Sequence, residues 1–412
     1  MTKNFLFPFL ILAFIITAII LLSGTSRESQ QLAEPAVPVY SSFDSLLFSY
    51  DTIISRHIDS SGTVGAAIAI VKGDQIIFMK CFGVRDATQQ EPVDRYTIFR
   101  LASVSKTITG MLAGILDAEN ILCIDEKVQE LIPGFSLKDS VNTYDLDVGH
   151  LLSHTSGLVP HAYDNLVEED VPFPIIIDSL FRVNISAEPG KLYGYQNVLF
   201  NLYDSLCHIK DPGGYDHLLQ RKVFDPFGMT NASTGFAAFS GNENKAIPHG
   251  RYNGNFRPLS LNDRYYSPNP AAGINASIWD MANFLRALNE TERSVVDASI
   301  KDSVFTPRVY TPLKWHYLRH WDRIESRHYG LGWRIVGYKG RNIAYHGGYV
   351  RGYQAEIAYC DEEELGIVFL TNSPNGVASQ VVPSFLELYF GMSDAPKEVK
   401  QAEAPLTKSI HP

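Results

Sequence analysis

Strand-like runs stand at both ends of this 412-residue chain, separated by a long stretch of helix-like pattern. Near the start, an apolar run beginning at Gly65 reaches Lys72-Gly73-Asp74, a hairpin signal between two strands. The strand pattern returns from Tyr329, in Gly332–Tyr338, Asn342–Tyr345, Gln354–Tyr359 and Gly366–Thr371. Residues 110 to 300 read as largely helical with long loops. Buried backbone N–H and C=O groups need partners, so strands from the two ends must pair with each other. The expected fold is α+β: one antiparallel sheet flanked by helices, with a mainly helical subdomain inserted between its halves. A first helix over Ser42–His57 should precede the sheet and one over Ser379–Tyr389 should close it. With 45% hydrophobic residues, positions 41–392 suffice for one large core or two closely packed subdomains.

Chemistry is suggested first by Phe99-Arg-Leu-Ala-Ser-Val-Ser-Lys-Thr107. Ser103 stands three residues before Lys106, ahead of an amphipathic segment, Ile108 to Leu122. Helical positions i and i+3 share a face, which would set the amine beside the hydroxyl. A desolvated, neutral lysine can take the proton of a serine, and a helix N-terminus favours the negative charge that develops. This is the only S-x-x-K in the chain, but such a pattern also arises by chance at a polar helix start.

Two further groups add weight. Tyr195-Gln196-Asn197 follows Glu188-Pro189-Gly190 and leads into a helix-like run, Val198 to Cys207. A tyrosine there could relay a proton, and the asparagine amide could hold a substrate amide. A second Tyr-x-Asn, Tyr163-Asp164-Asn165, lacks the turn-then-helix setting. His346-Gly347-Gly348 lies in a stretch that reads as an edge-forming strand, where glycines let backbone approach a ligand.

In this order Ser103-x-x-Lys106, Tyr195-x-Asn197 and His346-Gly347-Gly348 resemble the three motifs of serine β-lactamases and penicillin-binding proteins, most nearly the class C branch. Further stretches are similar to that family: Gly65–Val71, Phe82–Asp86, His150–Leu158, Ala271–Ser277 with Asp280-Met281, and Tyr329–Trp333. The resemblance spans about residues 45 to 390. It implies Ser103 as the acylated nucleophile, with Lys106 and Tyr195 sharing its activation. It implies Asn197 against the substrate's amide side chain and His346, Gly347 and Gly348 along the substrate. The backbone N–H groups of Ser103 and Tyr349 would form the oxyanion hole. The best-known members carry Lys-Thr-Gly where this chain has His346-Gly347-Gly348. That exchange removes a permanent cation and a hydroxyl and weakens recognition of a β-lactam carboxylate. Histidine there is typical of family members resembling esterases and D-amino-acid peptidases. The expected activity is hydrolysis of an ester, amide or β-lactam bond through an acyl-enzyme. The alternative is a catalytically silent sensor of penicillins or cell-wall peptides. If His346 takes part directly, activity should change around pH 6 to 7.

No metal or other cofactor is expected. His150 and His154 are four apart but lack the glutamate of the zinc-protease pattern, and a packing role fits them better. There is no G-x-S-x-G nucleophile elbow, and Glu168-Glu169-Asp170 reads as a solvated acidic loop. Charged residues are 19% and the formal net charge is −10, which argues against nucleic acid as partner. A small-molecule or peptide acyl substrate and a monomeric enzyme are expected. The four cysteines show no framework spacing and are expected as free thiols.

The N-terminus reads as an export signal: Phe5 to Leu22 is almost wholly apolar, after Lys3 and before Ser23-Gly-Thr-Ser-Arg27. Residues 1–24 would be a signal peptide or membrane anchor and 25–40 a linker. The tail, 393–412, reads as disordered. The catalytic domain is thus expected in a periplasm or on the outer face of the cytoplasmic membrane.

Overall fold

The computed structural model describes residues 42–266, 269–289, 295–312, 318, 320–321 and 324–393. The export segment 1–24 and the linker 25–40 lie outside these, as does the 393–412 tail except for Ser393. The chain divides into two units, Met1–Ser45 and Leu46–Pro412. Of the first, only the opening turn of helix α1 (Ser42–Ser61) is described. Among the described residues no helix is long and apolar enough to cross a membrane.

The second unit is organised by an eight-stranded sheet. Its strands are β1 (Gly65–Lys72), β2 (Gln75–Gly83), β3 (Val309–Tyr310), β4 (Ile324–Tyr329), β5 (Arg334–Tyr338), β6 (Arg341–Val350), β7 (Tyr353–Cys360) and β8 (Leu365–Thr371). They lie in the order β2-β1-β8-β7-β6-β5-β4-β3, every pair antiparallel. The two ends of the chain meet where β1 pairs with β8, in register from Ala66 opposite Thr371 to Lys72 opposite Leu365. β1 is buried from Gly65 to Val71, as its unbroken apolar run requires of a central strand.

Helices cover both faces. α6 (Ile278–Asn289) packs on β1 and β8, while α7 (Ala378–Ser393) packs on β7 and β8. α2 (Ser105–Ala118) packs against the helices Ala298–Phe305 and Asn269–Ala272, and its residues Ser105 to Leu116 are all buried. It begins earlier than the Ile108–Leu122 segment expected from apolar spacing. The hydroxyls of Thr107 and Thr109 bond to the carbonyls of Val104 and Ser105, so a polar first turn can be buried without an apolar period. The helix has ended by Asn120, which takes a left-handed conformation. The Tyr329–Trp333 segment closes on this helix. A side chain at Gly332 (φ +73°) would stand 2.0 Å from the Lys106 carbonyl, and Trp333 Nε1 donates to the Thr107 carbonyl at 3.2 Å.

The middle of the chain is less uniformly helical than expected. Short helices alternate with a three-stranded sheet (Phe99–Arg100, Ile274–Ala276, Ser233–Thr234) and a hairpin, His249–Tyr252 with Asn255–Pro258. The strand bearing His346 is also not an edge strand, since β6 lies between β5 and β7. Its pairing with β5 ends at Tyr345, however, and from His346 to Val350 it is paired with β7 alone. Cys81, Cys123, Cys207 and Cys360 are all free thiols.

Candidate active site

Ser103 sits in a single 3-10 turn, Ala102–Val104, that runs into α2. Ala102 is held left-handed at φ +49°, which costs a non-glycine residue roughly 1–2 kcal/mol. The turn is fixed by the Leu101 N–H on the Ile274 carbonyl (3.0 Å) and the Val104 N–H on the Leu101 carbonyl (3.1 Å). The half of β6 that has left β5 passes directly against it. A Cβ at Gly348 would meet the Leu101 carbonyl at 2.4 Å and the amide nitrogens of Ser103 and Val104 at 3.0 Å. Only glycine lets the strand lie so close, and the following residue, Tyr349, carries its side chain 60% exposed at the cleft.

The nucleophile candidate has one polar neighbour from far along the chain: the Tyr195 hydroxyl lies 2.9 Å from Ser103 Oγ. Tyr195 is positioned by the segment around His154. The Gln196 N–H donates to His154 Nδ1 (3.1 Å), the Gly194 N–H donates to the His154 carbonyl (2.8 Å), and the two rings lie 4.3 Å apart. His154 is thus buried, with Nδ1 an acceptor and no metal partner in prospect. His150 uses its Nδ1 in the capping box of α3 (Val148–Leu152). Among the described residues no group of histidine, cysteine or acidic side chains could hold a metal ion.

Lys106 lies behind Ser103, fully buried, with Nζ donating to Asn197 Oδ1 (2.7 Å) and to the Ala271 carbonyl (2.8 Å). Burial pushes its ammonium well below the usual lysine range; Asp164 pulls it back up and Arg334 pushes it further down. Two acceptors use both N–H bonds of a neutral amine and leave its lone pair, the form a proton acceptor needs. Asn197, at the start of α5 (Asn197–Lys210), lines the cleft and is tied into the floor of the site. Its Oδ1 is taken by Lys106, and its Nδ2 donates to Asp164 Oδ2 (2.9 Å) and the Tyr265 hydroxyl (2.7 Å). Oδ1 keeps a second lone pair, so a substrate N–H can be accepted there with these bonds intact.

His346 is buried as well, between the Tyr329 hydroxyl on Nε2 (2.9 Å) and the Gly347 carbonyl on Nδ1 (2.9 Å). A carbonyl only accepts, so Nδ1 carries the hydrogen and Nε2 accepts from tyrosine. Burial, followed by Arg334 and Lys106, drives its pKa well below the ordinary histidine value. The imidazole is therefore neutral across physiological pH, which removes the physical basis for a histidine limb at pH 6 to 7.

Ser103, Tyr195, Asn197, His346, Gly347 and Tyr349 all line one cleft of about 620 Å³. Two kinds of residue there escaped the sequence reading. Arg334 opens β5, with its guanidinium 5.6 Å from the Tyr329 ring and 6.0 Å from that of Tyr195. Its only signal was its place directly after Trp333. Asp164 and Glu168 bound α4 (Asp164–Glu168) on the cleft wall. Asp164 belongs to the Tyr-x-Asn set aside for its poorer context, and Glu168 to the acidic run assigned to solvent.

A serine with a tyrosine at hydrogen-bond distance and a dry lysine behind it, at the seam between a sheet and a helical region, defines a serine hydrolase site of the acyl-transfer kind. The family model described as Beta-lactamase matches residues 50–386, most of the chain, and this protein belongs to that family. It is 24% identical over 346 residues to penicillin-binding protein 4* of Bacillus subtilis, covering 78% of this chain and 70% of that one. It is 26% identical over 323 residues to a D-aminopeptidase of Gluconobacter oxydans, covering 75% of this chain and 55% of that one. Among solved structures, the octameric penicillin-binding protein homologue from Pyrococcus abyssi superposes with a TM-score of 0.71 at 22% identity, over 84% of this chain and 77% of that one. EstCE1, a hydrolase with promiscuous acyltransferase activity, gives 0.69 at 18% identity over 85% of this chain and all of that one. These likenesses support the α+β fold and a serine hydrolase.

Proposed function

We propose that the protein cleaves an ester, amide or lactam through an acyl-enzyme on Ser103, and that it does so outside the cytoplasm. The observation that carries the first part is the 2.9 Å contact between Ser103 Oγ and the Tyr195 hydroxyl, backed by buried Lys106. The Oγ proton passes to the Tyr195–Lys106 pair as Oγ attacks the carbonyl carbon. The oxyanion is held by the Ser103 and Tyr349 N–H groups, a pair in which one donor is worth about 3 kcal/mol of barrier. The bond to the leaving group breaks as that group receives the proton, and water later releases the acyl group from Oγ. His346 is neutral and enclosed, so the cation facing a substrate carboxylate is Arg334 instead. Such a cleft suits ester and peptide acyl donors at least as well as lactams.

Intact-mass spectrometry after brief exposure to a penicillin, beside turnover of p-nitrophenyl acetate, tests this. An adduct or ester turnover in the wild type, absent from Ser103→Ala, is expected. Equal ester turnover in Ser103→Ala would overturn the assignment, and neither adduct nor turnover would favour a silent binder. The location rests on the apolar run Phe5–Leu22 behind Lys3. Fusion of residues 1–40 to a reporter active only outside the cytoplasm should give signal, and a silent reporter would refute export.

A further inference from the structure

Release of an acyl group from Ser103 needs a proton acceptor that water can reach. The groups that serve the serine are poorly placed for it. Lys106 is fully buried, the Tyr195 hydroxyl lies on the serine oxygen itself, and His346 has both ring nitrogens engaged. His161 lines the same cleft and is held differently. Its side chain is 59% exposed and its Nδ1 lies 2.7 Å from Asp164 Oδ2, while its Nε2 has no hydrogen bond among the described residues. A carboxylate only accepts, so Nδ1 carries the hydrogen and Nε2 of the neutral ring keeps a free lone pair.

A histidine–aspartate pair on a loose surface loop would carry no argument, but this one is fixed to the floor of the site. The His161 N–H donates to the Tyr195 carbonyl at 2.8 Å, and the two rings lie 5.4 Å apart. The imidazole thus stands one ring away from the Ser103–Tyr195 contact. Asp164, with its side chain only 17% exposed, also accepts from Asn197 Nδ2, and Asn197 in turn accepts from Lys106. His161 itself has a left-handed backbone, φ +60°, a conformation that persists only where the surroundings enforce it.

We infer that His161, oriented by Asp164, is the general base that activates water for deacylation. The inference rests on the serine hydrolase reading of the same cleft. Water gives a proton to Nε2 as its oxygen bonds to the acyl carbonyl carbon. Asp164 fixes the tautomer and offsets the charge that the ring acquires. As the tetrahedral adduct collapses, the C–Oγ bond breaks and Oγ takes the Tyr195 hydroxyl proton. The imidazolium then releases its proton to solvent, and solvent returns one to the Tyr195 oxygen.

Stopped-flow release of p-nitrophenolate from p-nitrophenyl acetate separates the two steps. In His161→Gln, kcat should fall about a hundredfold, within the range for loss of a general base, while kcat/KM, which reports acylation, stays within about threefold. A burst of product should precede the slow phase, with acetyl-enzyme accumulating by intact mass. Asp164→Asn should lower kcat by a smaller factor with the same burst. His161→Gly suits the left-handed backbone, and added imidazole should restore its kcat without changing kcat/KM. An unchanged kcat in His161→Gln, or equal falls in kcat and kcat/KM with no accumulated acetyl-enzyme, would sink the inference. So would a burst that appears in Glu168→Gln but not in His161→Gln. Wild-type turnover no faster than that of Ser103→Ala would instead refute the hydrolase reading, and the role of His161 with it.

Discussion

On one side of Ser103 the Lys106–Asn197–Tyr195 floor offers functional side chains; on the other, β6 offers backbone. Both regions are buried, and burial depresses the proton affinity of Lys106 and His346 alike. What separates them is how the remaining atoms are used. Lys106 keeps a lone pair when neutral, behind the tyrosine that touches Ser103. His346 has both ring nitrogens engaged, with Tyr329 and Gly347. Desolvation alone therefore does not make a catalytic base; an unused acceptor within reach of the nucleophile is also needed.

The sharpest way to break this contrast is Lys106→Met, which keeps the volume and removes the amine. Acylation of Ser103 should fall about a thousandfold, within the range for loss of a general base, as followed by stopped-flow ester turnover. Near-normal rates would transfer the base role to Tyr195 alone. Next comes Gly348→Ala, which adds one methyl 2.4 Å from the Leu101 carbonyl. It should push β6 off the Ser103 turn and lower kcat about a hundredfold, as loss of an oxyanion donor does, with native circular dichroism. A neutral result would remove the backbone from the mechanism.

A smaller effect is expected at His346. His346→Gln should change kcat/KM less than tenfold and leave the acidic limb of the pH–rate profile in place, because that limb belongs to the Lys106–Tyr195 pair. Asp164→Asn, by contrast, removes a charge that raises the Lys106 pKa, so the limb should move to lower pH. A limb that followed His346 would reverse the comparison. The smallest effect concerns Glu356, buried on β7 opposite Gly347 with its pKa raised well above normal by burial. In the unfolded chain it ionises near pH 4.3. Folded, it holds its proton longer, so its support of the fold is complete below that pH and is lost as pH rises toward its folded value. Glu356→Gln should raise Tm at pH 8 and leave it nearly unchanged at pH 4.

Much of this was legible from the residues. The pairing of the two chain ends follows from apolar strand runs that have no other partners, and Ser103, Lys106 and Tyr195 announce themselves by spacing and turn context. The hairpin at Lys72-Gly73-Asp74 lies where Gly73, at φ +58°, closes β1 on β2. Less legible was anything depending on which face meets which. Asp164 sits in a Tyr-x-Asn no more distinctive than the one at Tyr195, and only the packing of α4 beside α5 sets it next to Asn197. Arg334 was one more charged residue in a strand until three tyrosine rings gathered around it.

The sequence by itself determined the α+β plan and singled out Ser103 as the candidate nucleophile, since both rest on local periodicity and on motifs whose members lie within a few residues. Tertiary structure alone decided the surroundings of those groups: a Lys106 whose proton affinity burial lowers, an enclosed His346, an Asn197 bonded to Lys106, Asp164 and Tyr265. Those depend on water being excluded by segments a hundred or more positions away, such as the 165 residues that separate Lys106 from Ala271. Desolvation is a property of the packed surroundings, and no motif carries it.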